Sequence, residues 1–401
     1  MMQGFIRPIF ESNDSFDFAN LIQTLSDTPG YNHNKGPNML KASSDAEALR
    51  SFLMGYQNTS LTYQTYLKEL ERLVLWCAHV QKISISDITS DDITAYQQFL
   101  MLPEPKALWC GNKRSKRLKS GEVNPDWRPF ASELSPTSIK KTMSILDSFF
   151  NYLVQTQYLK GNPLSVNKRR KKRTQPQTIE RWLEKTEINT VLEALSEMTE
   201  PQADAFSIIR AKYIIHTLFY TGLRLSELTN HRMGDFTLIE GAWYLKVIGK
   251  GEKPRNIVVV DEYLDALTEF RKAIDCPGLP AFNEKMPLIP MQDKLNPIKQ
   301  RRIDQILKWT FEAGARRYET LANQEIEEGP KHLRRASKLR KASAHWLRHS
   351  YGTYLVKSGC PIEKVKTLMG HSDISTTMIY VHIATNDLLD SAQGLSLQEE
   401  D

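Results

Sequence analysis

The chain has 401 residues, of which 40% are hydrophobic and 25% are charged, and its formal net charge is +6. These values fit a globular protein with two domains of ordinary size rather than a disordered or membrane protein. No apolar run is long enough to cross a bilayer and residues 1–10 lack the order of a secretory signal, so we expect a cytoplasmic protein with no membrane partner. The four cysteines are widely spaced and form no CxxC pair, which argues against a disulfide framework or a zinc cluster.

The first part of the chain predicts a small helical domain. Residues 1–44 are rich in Asn, Ser, Asp and Gly, and we expect them to be loosely ordered. Apolar residues recur at helical spacing from Leu61 to Val80, and Ser90 is a candidate cap for a second helix. Ser135 followed by Pro136 predicts the start of a third helix. Residues 45–166 therefore predict a helical domain, interrupted by a polar and basic insertion at about 103–134.

Positive charge is concentrated in three runs, at residues 113–119, 168–173 and 331–341. Such runs attract a polyanion, although each taken alone also fits a solvated surface or a flexible linker. The middle run, KRRKKR, also resembles a nuclear localisation signal. Charge repulsion and Pro176 predict an extended linker at residues 167–177. The candidate polyanion contacts are Lys113, Arg114, Lys168, Arg169, Arg170, Lys171, Lys172 and Arg173.

The second domain is predicted at residues 178–383. Helices are expected over about 186–198 and 204–220, the second ended by Gly222. Strand character follows at residues 235–239, 242–248 and 255–260, and Gly249-Lys250-Gly251 forms the turn between the last two. The remainder reads mainly as helix. The fold class is therefore mainly α with a small β-sheet (α+β).

Three separated stretches of this domain carry residues suited to catalysis. TGLRLSEL places Arg224 and Glu227 three residues apart on one side of a helical turn. GKGEK presents Lys250 at the tip of a hairpin. The third stretch contains His345 and Arg348 on one helix face, then His371 directly after Met369-Gly370, and finally Tyr380.

The order Arg, Lys, His-x-x-Arg, Gly-His, Tyr resembles the tyrosine recombinases of the phage integrase type, including the Xer resolvases, Cre and lambda integrase. The resemblance runs from about residue 179 to residue 382. It implies a helical, SAM-like core-binding domain ahead of a catalytic domain, a specific site in double-stranded DNA as the substrate, and a homotetramer on DNA. Met369 stands where Leu is commoner, and the insertions at 103–134, 276–300 and 316–341 are longer than in compact members.

The resemblance also implies catalytic roles for Arg224, Lys250, His345, Arg348, His371 and Tyr380. A phosphodiester gains negative charge on its nonbridging oxygens during displacement, and two guanidiniums suit those oxygens. Tyr380 would form a 3′-phosphotyrosyl bond and expel a 5′ hydroxyl, with Lys250 as the proton donor. Glu227 would support Arg224 or His345. Because the covalent intermediate stores the bond energy, no metal, cofactor or ATP is expected.

Several alternatives remain open on the sequence. Tyr351 and Tyr354 lie close to Arg348 in the chain, but their spacing favours inward-facing positions, and His349 and His382 are expected to be structural and exposed, respectively. A type IB topoisomerase-like enzyme shares the chemistry, and a DNA-binding regulator without catalysis shares the fold. A metal-dependent nuclease would need clustered carboxylates, and the motifs contain no such group.

The end of the chain, at residues 384–401, carries Leu388, Leu389, Leu395 and Leu397 in a polar setting. We expect this tail to dock on a neighbouring subunit of the tetramer. A second recombinase or a DNA-bending protein is a possible further partner, and the DNA-bound protein is expected to be associated with the nucleoid.

Overall fold

A computed structural model describes residues 6–10, 30–57, 60–112, 115–165, 181–199, 203–249, 253–276 and 278–381. The chain divides into two compact units, Met1–Gln175 and Pro176–Asp401. Each unit has its own apolar core. Within the described ranges, no helix is long and apolar enough to cross a membrane.

Helices form the core of the first unit. They are α1 (Asp45–Met54), α2 (Ser60–Trp76), α3 (Ser90–Met101), the short α4 (Lys106–Trp109) and α5 (Pro136–Gln155), with a π-helical turn at Cys77–Gln81 and a 3-10 turn at Ile85–Asp87. The predicted cap of α5 is confirmed, because the Ser135 side chain accepts the N–H of Ser138. The predicted cap of α3 is wrong by one residue. Thr89 caps that helix and Asp92 returns the hydrogen bond, an arrangement that satisfies two N–H groups at once.

The expectation that residues 1–44 are loosely ordered is wrong for residues 6–10 and 30–44. Ile6, Ile9 and Phe10 are each 1% exposed, and the carboxylate of Glu71 accepts the N–H groups of Ile9 and Phe10 at 2.9 and 3.0 Å. Residues 30–44 are also bonded to the helical domain, for example through the N–H of Asn32 to the Ser86 carbonyl. A buried carboxylate that supplies acceptors for distant backbone groups leaves no periodic signal in the sequence.

The insertion at 103–134 contributes to the core of the first unit although its sequence is polar and basic. Trp109, Trp127 and Phe130 are 1%, 4% and 1% exposed. The guanidinium of Arg72 donates to the Pro129 carbonyl at 3.1 Å and lies 4.4 Å from the centre of the Phe130 ring. The aromatic residues therefore anchor the described part of the insertion to the helical bundle.

The second unit is mainly helical with one small sheet, as predicted. Its antiparallel sheet has the order β1-β2-β3, with β1 at Phe236–Ile239, β2 at Ala242–Ile248 and β3 at Pro254–Val259. Its helices are α6 (Lys185–Ser196), α7 (Ala205–Thr221), α8 (Leu225–Asn230), α9 (Asp261–Ala273), α10 (Gln300–Gln324), α11 (Gly329–Lys341), α12 (Ala344–Lys357) and α13 (Ile362–Met369), with 3-10 turns at Met233–Asp235 and Ile374–Thr376. The predicted hairpin is confirmed in its strands, which pair in a register that places Val247 opposite Arg255.

Two glycines fix the helix ends that surround the site. Gly222 ends α7 at φ 59° and Gly370 ends α13 at φ 61°. This left-handed conformation is strained for residues with a side chain, which explains a glycine at both positions. Helix α12 packs against α7 and α13, and so the two helix ends and the middle of α12 lie together.

The basic run at 331–341 is partly neutralised within the second unit. It forms α11, in which Lys338 donates to Glu187 at 2.8 Å and Arg340 donates to Glu319 at 2.6 Å. Lys331 pairs with Glu328 at 2.7 Å. The charge of this run is therefore partly used in intramolecular ion pairs. This fits the alternative in which the run forms part of the protein surface.

Candidate active site

Three guanidiniums meet at the carboxyl end of α13. The Leu368 carbonyl accepts a hydrogen bond from Arg255 at 2.8 Å. The Met369 carbonyl accepts one from Arg348, and the Gly370 carbonyl accepts one from Arg224 at 2.8 Å. The last carbonyls of a helix lack intrahelical partners and carry partial negative charge. This helix end thus gathers three cations from three different elements around the turn that leads to His371.

Arg224 is held in place by the carboxylate of Glu227. Arg224 is the capping residue of α8, and its N–H donates to Glu227 Oε2 at 2.9 Å while its Nη1 donates to Oε1 at 2.8 Å. Burial alone would raise the pKa of Glu227, but hydrogen bonds from Arg255 and Arg224 and their charges lower that pKa to about 2. Glu227 is therefore ionised at neutral pH, and the Arg224 side chain keeps 34% of its surface exposed.

Arg348 is buried in the middle of α12, with 2% of its surface exposed. It donates to the Gly222 carbonyl at the end of α7 and to the Met369 carbonyl at the end of α13. Burial and the nearby charge of Arg224 lower the pKa of Arg348 to about 10. Its guanidinium consequently stays charged at neutral pH while it joins the two helix ends.

Tyr380 lies in the same region and is 1% exposed. Its N–H donates to the Thr377 carbonyl at 3.0 Å, and its ring packs on Gly352 so closely that a Cβ there would lie 2.7 Å from Cζ. Burial raises the pKa of Tyr380 to about 12, although the charges of Arg348 and Arg224 oppose the shift. The phenol is therefore protonated at neutral pH.

Two histidine rings lie beside the tyrosine ring, and a third lies next to one of them. The ring of His371 lies 6.1 Å from that of Tyr380 at an interplanar angle of 11°, and its Nδ1 is 2.9 Å from the Thr377 hydroxyl. His349 lies 5.6 Å from Tyr380 and 4.2 Å from His345, ring centre to ring centre. Burial, together with neighbouring charges, lowers the pKa of His371 to about 4 and also lowers that of His345. Burial and neighbouring charges also lower the pKa of His349, to about 3. All three rings are therefore neutral near pH 7.

The structure thus brings together Arg224, Glu227, His345, Arg348, His371 and Tyr380. The other candidates lie outside the described residues; they are Lys250, Lys113, Arg114, Lys168, Arg169, Arg170, Lys171, Lys172, Arg173 and His382. The base of the hairpin that carries Lys250 is described and is closed by a hydrogen bond from the Gly249 N–H to the Lys253 carbonyl at 3.2 Å.

Sequence reasoning missed three residues that contact this cluster. Arg255 donates to both carboxylate oxygens of Glu227, Thr377 contacts His371 and Tyr380, and His231 links the Glu227 carbonyl (2.8 Å) to the Ile248 N–H (2.9 Å). One signal was available for Arg255: it occupies an inward position of the alternating strand β3, where a charge needs a buried partner. Within the described ranges, no three His, Cys, Asp or Glu side chains are grouped so that they could hold a metal ion.

The two tyrosines of α12 are placed differently from Tyr380. The Tyr354 hydroxyl accepts the N–H of Lys185 at 2.7 Å, and Tyr351 packs on Gly222, where a Cβ would lie 2.2 Å from its ring. Both side chains therefore serve packing between α12 and its neighbours.

Comparison with known proteins places the chain in one family. Residues 181–387 match the phage integrase family. The chain is 31% identical over 263 residues to a tyrosine recombinase of Thermosipho africanus (strain TCF52B), which covers 65% of this chain and 76% of that protein. It is 30% identical over 254 residues to tyrosine recombinase XerD of Proteus mirabilis, covering 63% of this chain and 70% of that protein.

Solved structures show the same fold. The XerH site-specific recombinase bound to a palindromic difH substrate matches with a TM-score of 0.56 and 18% identity over 96% of this chain and 99% of that one. The Tn1549 transposon integrase bound to transposon right end DNA matches with a TM-score of 0.53 and 15% identity over 86% and 98% of the two chains. The chain therefore belongs to the phage integrase family and is a tyrosine recombinase, a site-specific enzyme that breaks and rejoins DNA.

Proposed function

We propose that Tyr380 is the nucleophile of this recombinase. Its phenolic oxygen attacks the scissile phosphorus and gives up its proton, while the bond to the 5′ oxygen breaks and that oxygen gains a proton. The product is a 3′-phosphotyrosyl bond, and the 5′ hydroxyl of another strand reverses the step without ATP or metal. The observation that carries this proposal is the convergence of Arg224, Arg348 and Tyr380 around the end of α13.

The two arginines stabilise the negative charge that develops on the phosphate. Both guanidiniums donate to neutral carbonyls, and a phosphate oxygen is a stronger acceptor for such donors. Arg224, with about a third of its side-chain surface exposed, is accessible to a phosphate. Because the donors are held in place before the reaction, they stabilise the transition state at little reorganisation cost.

Proton transfer falls to the histidines and to Lys250. His345 has a lowered pKa, so its ring is unprotonated near neutral pH and can accept the phenol proton as Tyr380 attacks. His371, which is neutral and faces the Tyr380 ring, donates a hydrogen bond to the phosphate. Lys250 at the hairpin tip protonates the 5′ oxygen as it leaves.

Double-stranded DNA is the proposed partner of both units, with residues 45–166 as the core-binding domain and residues 178–383 as the catalytic domain. The basic residues at 113–114 and 168–173 contact backbone phosphates and set affinity rather than sequence choice. A second recombinase or a DNA-bending protein is compatible with this scheme.

The enzyme acts as a homotetramer in which the tail at 384–401 of one subunit docks on the next. The second unit has an apolar cavity of about 670 Å³, lined by side chains from α6, α7, β3 and α12, among them Leu192, Phe219, Val258 and Leu355. The four leucines of the tail match the apolar part of this lining.

Covalent trapping tests the catalytic assignment. The substrate is a nicked duplex from the DNA that flanks the gene, on which the cleaved strand diffuses away and the adduct accumulates. We expect Arg224→Ala to form the adduct about a hundred- to a thousandfold more slowly than the wild type in the presence of EDTA. An adduct that Arg224→Ala forms at the wild-type rate would contradict the proposal. A strict requirement of the wild type for a divalent ion would also contradict it.

A further inference from the structure

We propose that Arg255 is a positioning residue for DNA cleavage: it sets the orientation of Arg224 and of the turn before His371 without touching the DNA. This inference rests on the function proposed above. Arg255 lies on β3, faces the core, and is 7% exposed. It is therefore poorly placed to bind a phosphate itself.

The three donor atoms of Arg255 all have partners in the site. Its Nη1 and Nη2 donate to Glu227 Oε1 and Oε2 at 3.1 and 2.7 Å, and its Nε donates to the Leu368 carbonyl at 2.8 Å. Such a planar fork fixes the plane of the carboxylate as well as its position. A lysine at this position would keep the charge but could not make the same paired bonds.

Glu227 transmits this constraint to Arg224. The carboxylate accepts two hydrogen bonds from Arg255, and it also accepts the backbone N–H and the Nη1 of Arg224. Without Arg255, a carboxylate that is 5% exposed loses half of these bonds. We expect it to rotate, and the guanidinium of Arg224 to rotate with it.

The same guanidinium supports the turn that carries His371. Gly370 lies so close to both arginines that a Cβ at this position would be 2.9 Å from Arg255 Nη1 and 3.5 Å from Arg224 Nη1. The hydrogen bond to the Leu368 carbonyl fixes the helix end one residue before the carbonyl that Arg348 binds. Arg255 thereby adjusts the spacing between the proposed phosphate ligands rather than supplying another ligand.

The bland alternative is that Arg255 only stabilises the fold through a buried ion pair, and Arg271 provides a matched control for it. Arg271 is 5% exposed in the same unit, where its Nε donates to the Gly278 carbonyl at 2.7 Å and its Nη1 donates to Glu284 at 2.8 Å. Arg255→Lys and Arg271→Lys therefore break the same kinds of bonds, one beside the site and one elsewhere.

The experiment compares the full-length wild type with Arg255→Lys and Arg271→Lys. It measures the melting temperature, the Kd for the duplex, and the single-turnover rate of adduct formation on the nicked duplex. We expect similar melting temperatures for the two variants and a Kd within about threefold of the wild type. Adduct formation should fall about a hundredfold in Arg255→Lys, because small misplacements of catalytic groups have effects of this size, and should be near normal in Arg271→Lys.

A second substrate separates charge stabilisation from protonation of the leaving group. Sulfur in place of the bridging 5′ oxygen leaves as a thiolate that needs no proton, so this substrate should rescue Lys250→Ala. We expect it not to rescue Arg255→Lys, since the defect there lies in the phosphate ligands. Rescue of Arg255→Lys, equal defects in the two arginine variants, or a parallel loss of DNA binding would each overturn the inference.

A further pair of variants covers the case in which Arg255→Lys does not fold. Glu227→Gln should reproduce the cleavage defect with DNA binding intact. Where the double variant of Glu227→Gln and Arg255→Lys folds, its loss of cleavage rate should match that of the single variants rather than the product of the two separate losses. Normal cleavage by Glu227→Gln would overturn the inference. An adduct that still forms with Tyr380→Phe would instead refute the proposed function, whatever the Arg255 variants do.

Discussion

At the scale of single residues, the position of the proposed nucleophile, Tyr380, depends on the space left by a glycine. The Tyr380 ring occupies the place where a side chain at Gly352 in α12 would lie. The ring also stacks near His371, and the backbone N–H of Tyr380 is bonded to Thr377. Close packing thus supports the ring on several sides, and a single added carbon should displace it.

We expect Gly352→Ala to slow adduct formation about a hundredfold, because its Cβ forces the Tyr380 ring to move. Overpacking should also cost about 1–3 kcal/mol in the free energy of unfolding. Gly314→Ala is the control, since its Cβ would lie 2.5 Å from Val191 Cγ2 within α10 and α6. Single-turnover trapping measures the cleavage rate of both variants, and urea denaturation measures their free energy of unfolding. Equal cleavage rates in Gly352→Ala and Gly314→Ala would show that the space at Gly352 is not needed for the reaction.

Residues of the site differ in how well they could be predicted. Arg224, His345, Arg348, His371 and Tyr380 stand in recognisable order, and each motif also predicts its helix or helix end. Arg255 and Thr377 act through partners that are distant in sequence or through backbone atoms, so that residue type and spacing alone give little sign of them. A charged residue at an inward strand position was the one sign that could have pointed to Arg255.

At the scale of elements, α12 carries two histidines and Arg348 into a cationic environment. Burial is the main cause that lowers the pKa of His349, and His345 and Arg348 on α12, His371 after α13 and Arg181 before α6 lower it further. The ring of Tyr380 also faces His349. Its Nδ1 has no hydrogen-bond partner among the described residues. The folded protein therefore keeps this ring neutral far below the usual pKa of a histidine.

The consequence is a loss of stability in acid. His349 and His371 have folded-state pKa values of about 3 and 4, whereas an unfolded histidine titrates at about 6.5. At a pH between the folded and unfolded pKa values, the unfolded chain binds more protons than the folded protein. The free energy of unfolding should therefore fall as the pH falls from about 6.5 towards 4. His349→Gln should reduce that slope by up to about 1.4 kcal/mol per pH unit, as followed by urea denaturation. An unchanged slope would mean that His349 is already protonated in the folded state.

Elements with a repeating apolar pattern and a cap followed the sequence closely. The hairpin strands and α7 lie within one or two residues of their predicted bounds, and α5 begins at the predicted residue. The sequence did not predict the packing of residues 6–10 on Glu71 or of the insertion tryptophans on the core of the first unit. Both depend on contacts between residues that are far apart in the chain. Long-range contacts of this kind leave no local period to detect.

At the scale of the whole molecule, the proposed assembly joins the tail of one subunit to the apolar cavity of another. Deletion of residues 386–401 should impair formation of the four-subunit DNA complex more than binding of one subunit to a half-site, because the tail contacts protein rather than DNA. Native gels and analytical ultracentrifugation of the two complexes measure this difference. An equal loss of both complexes would count against the docking.

A matched pair of surface variants tests the acceptor side of the same contact. Val258 on β3 lines the cavity and is 51% exposed, whereas Leu238 on β1 is 56% exposed. Val258→Glu should reproduce the assembly defect of the tail deletion because it places a charge in the apolar lining, and Leu238→Glu should assemble normally. Normal assembly by Val258→Glu would remove this cavity from the interface.

In the proposed reaction, the phenol of Tyr380 becomes bonded to DNA. The direct measurement is mass spectrometry of peptides from the adduct trapped on the nicked duplex in EDTA, for the wild type and for Tyr380→Phe. We predict a nucleotide attached to the wild-type peptide that contains Tyr380, and no adduct in Tyr380→Phe at an unchanged Kd for the duplex. A nucleotide found on Tyr351 or Tyr354, or an adduct that persists in Tyr380→Phe, would contradict the account.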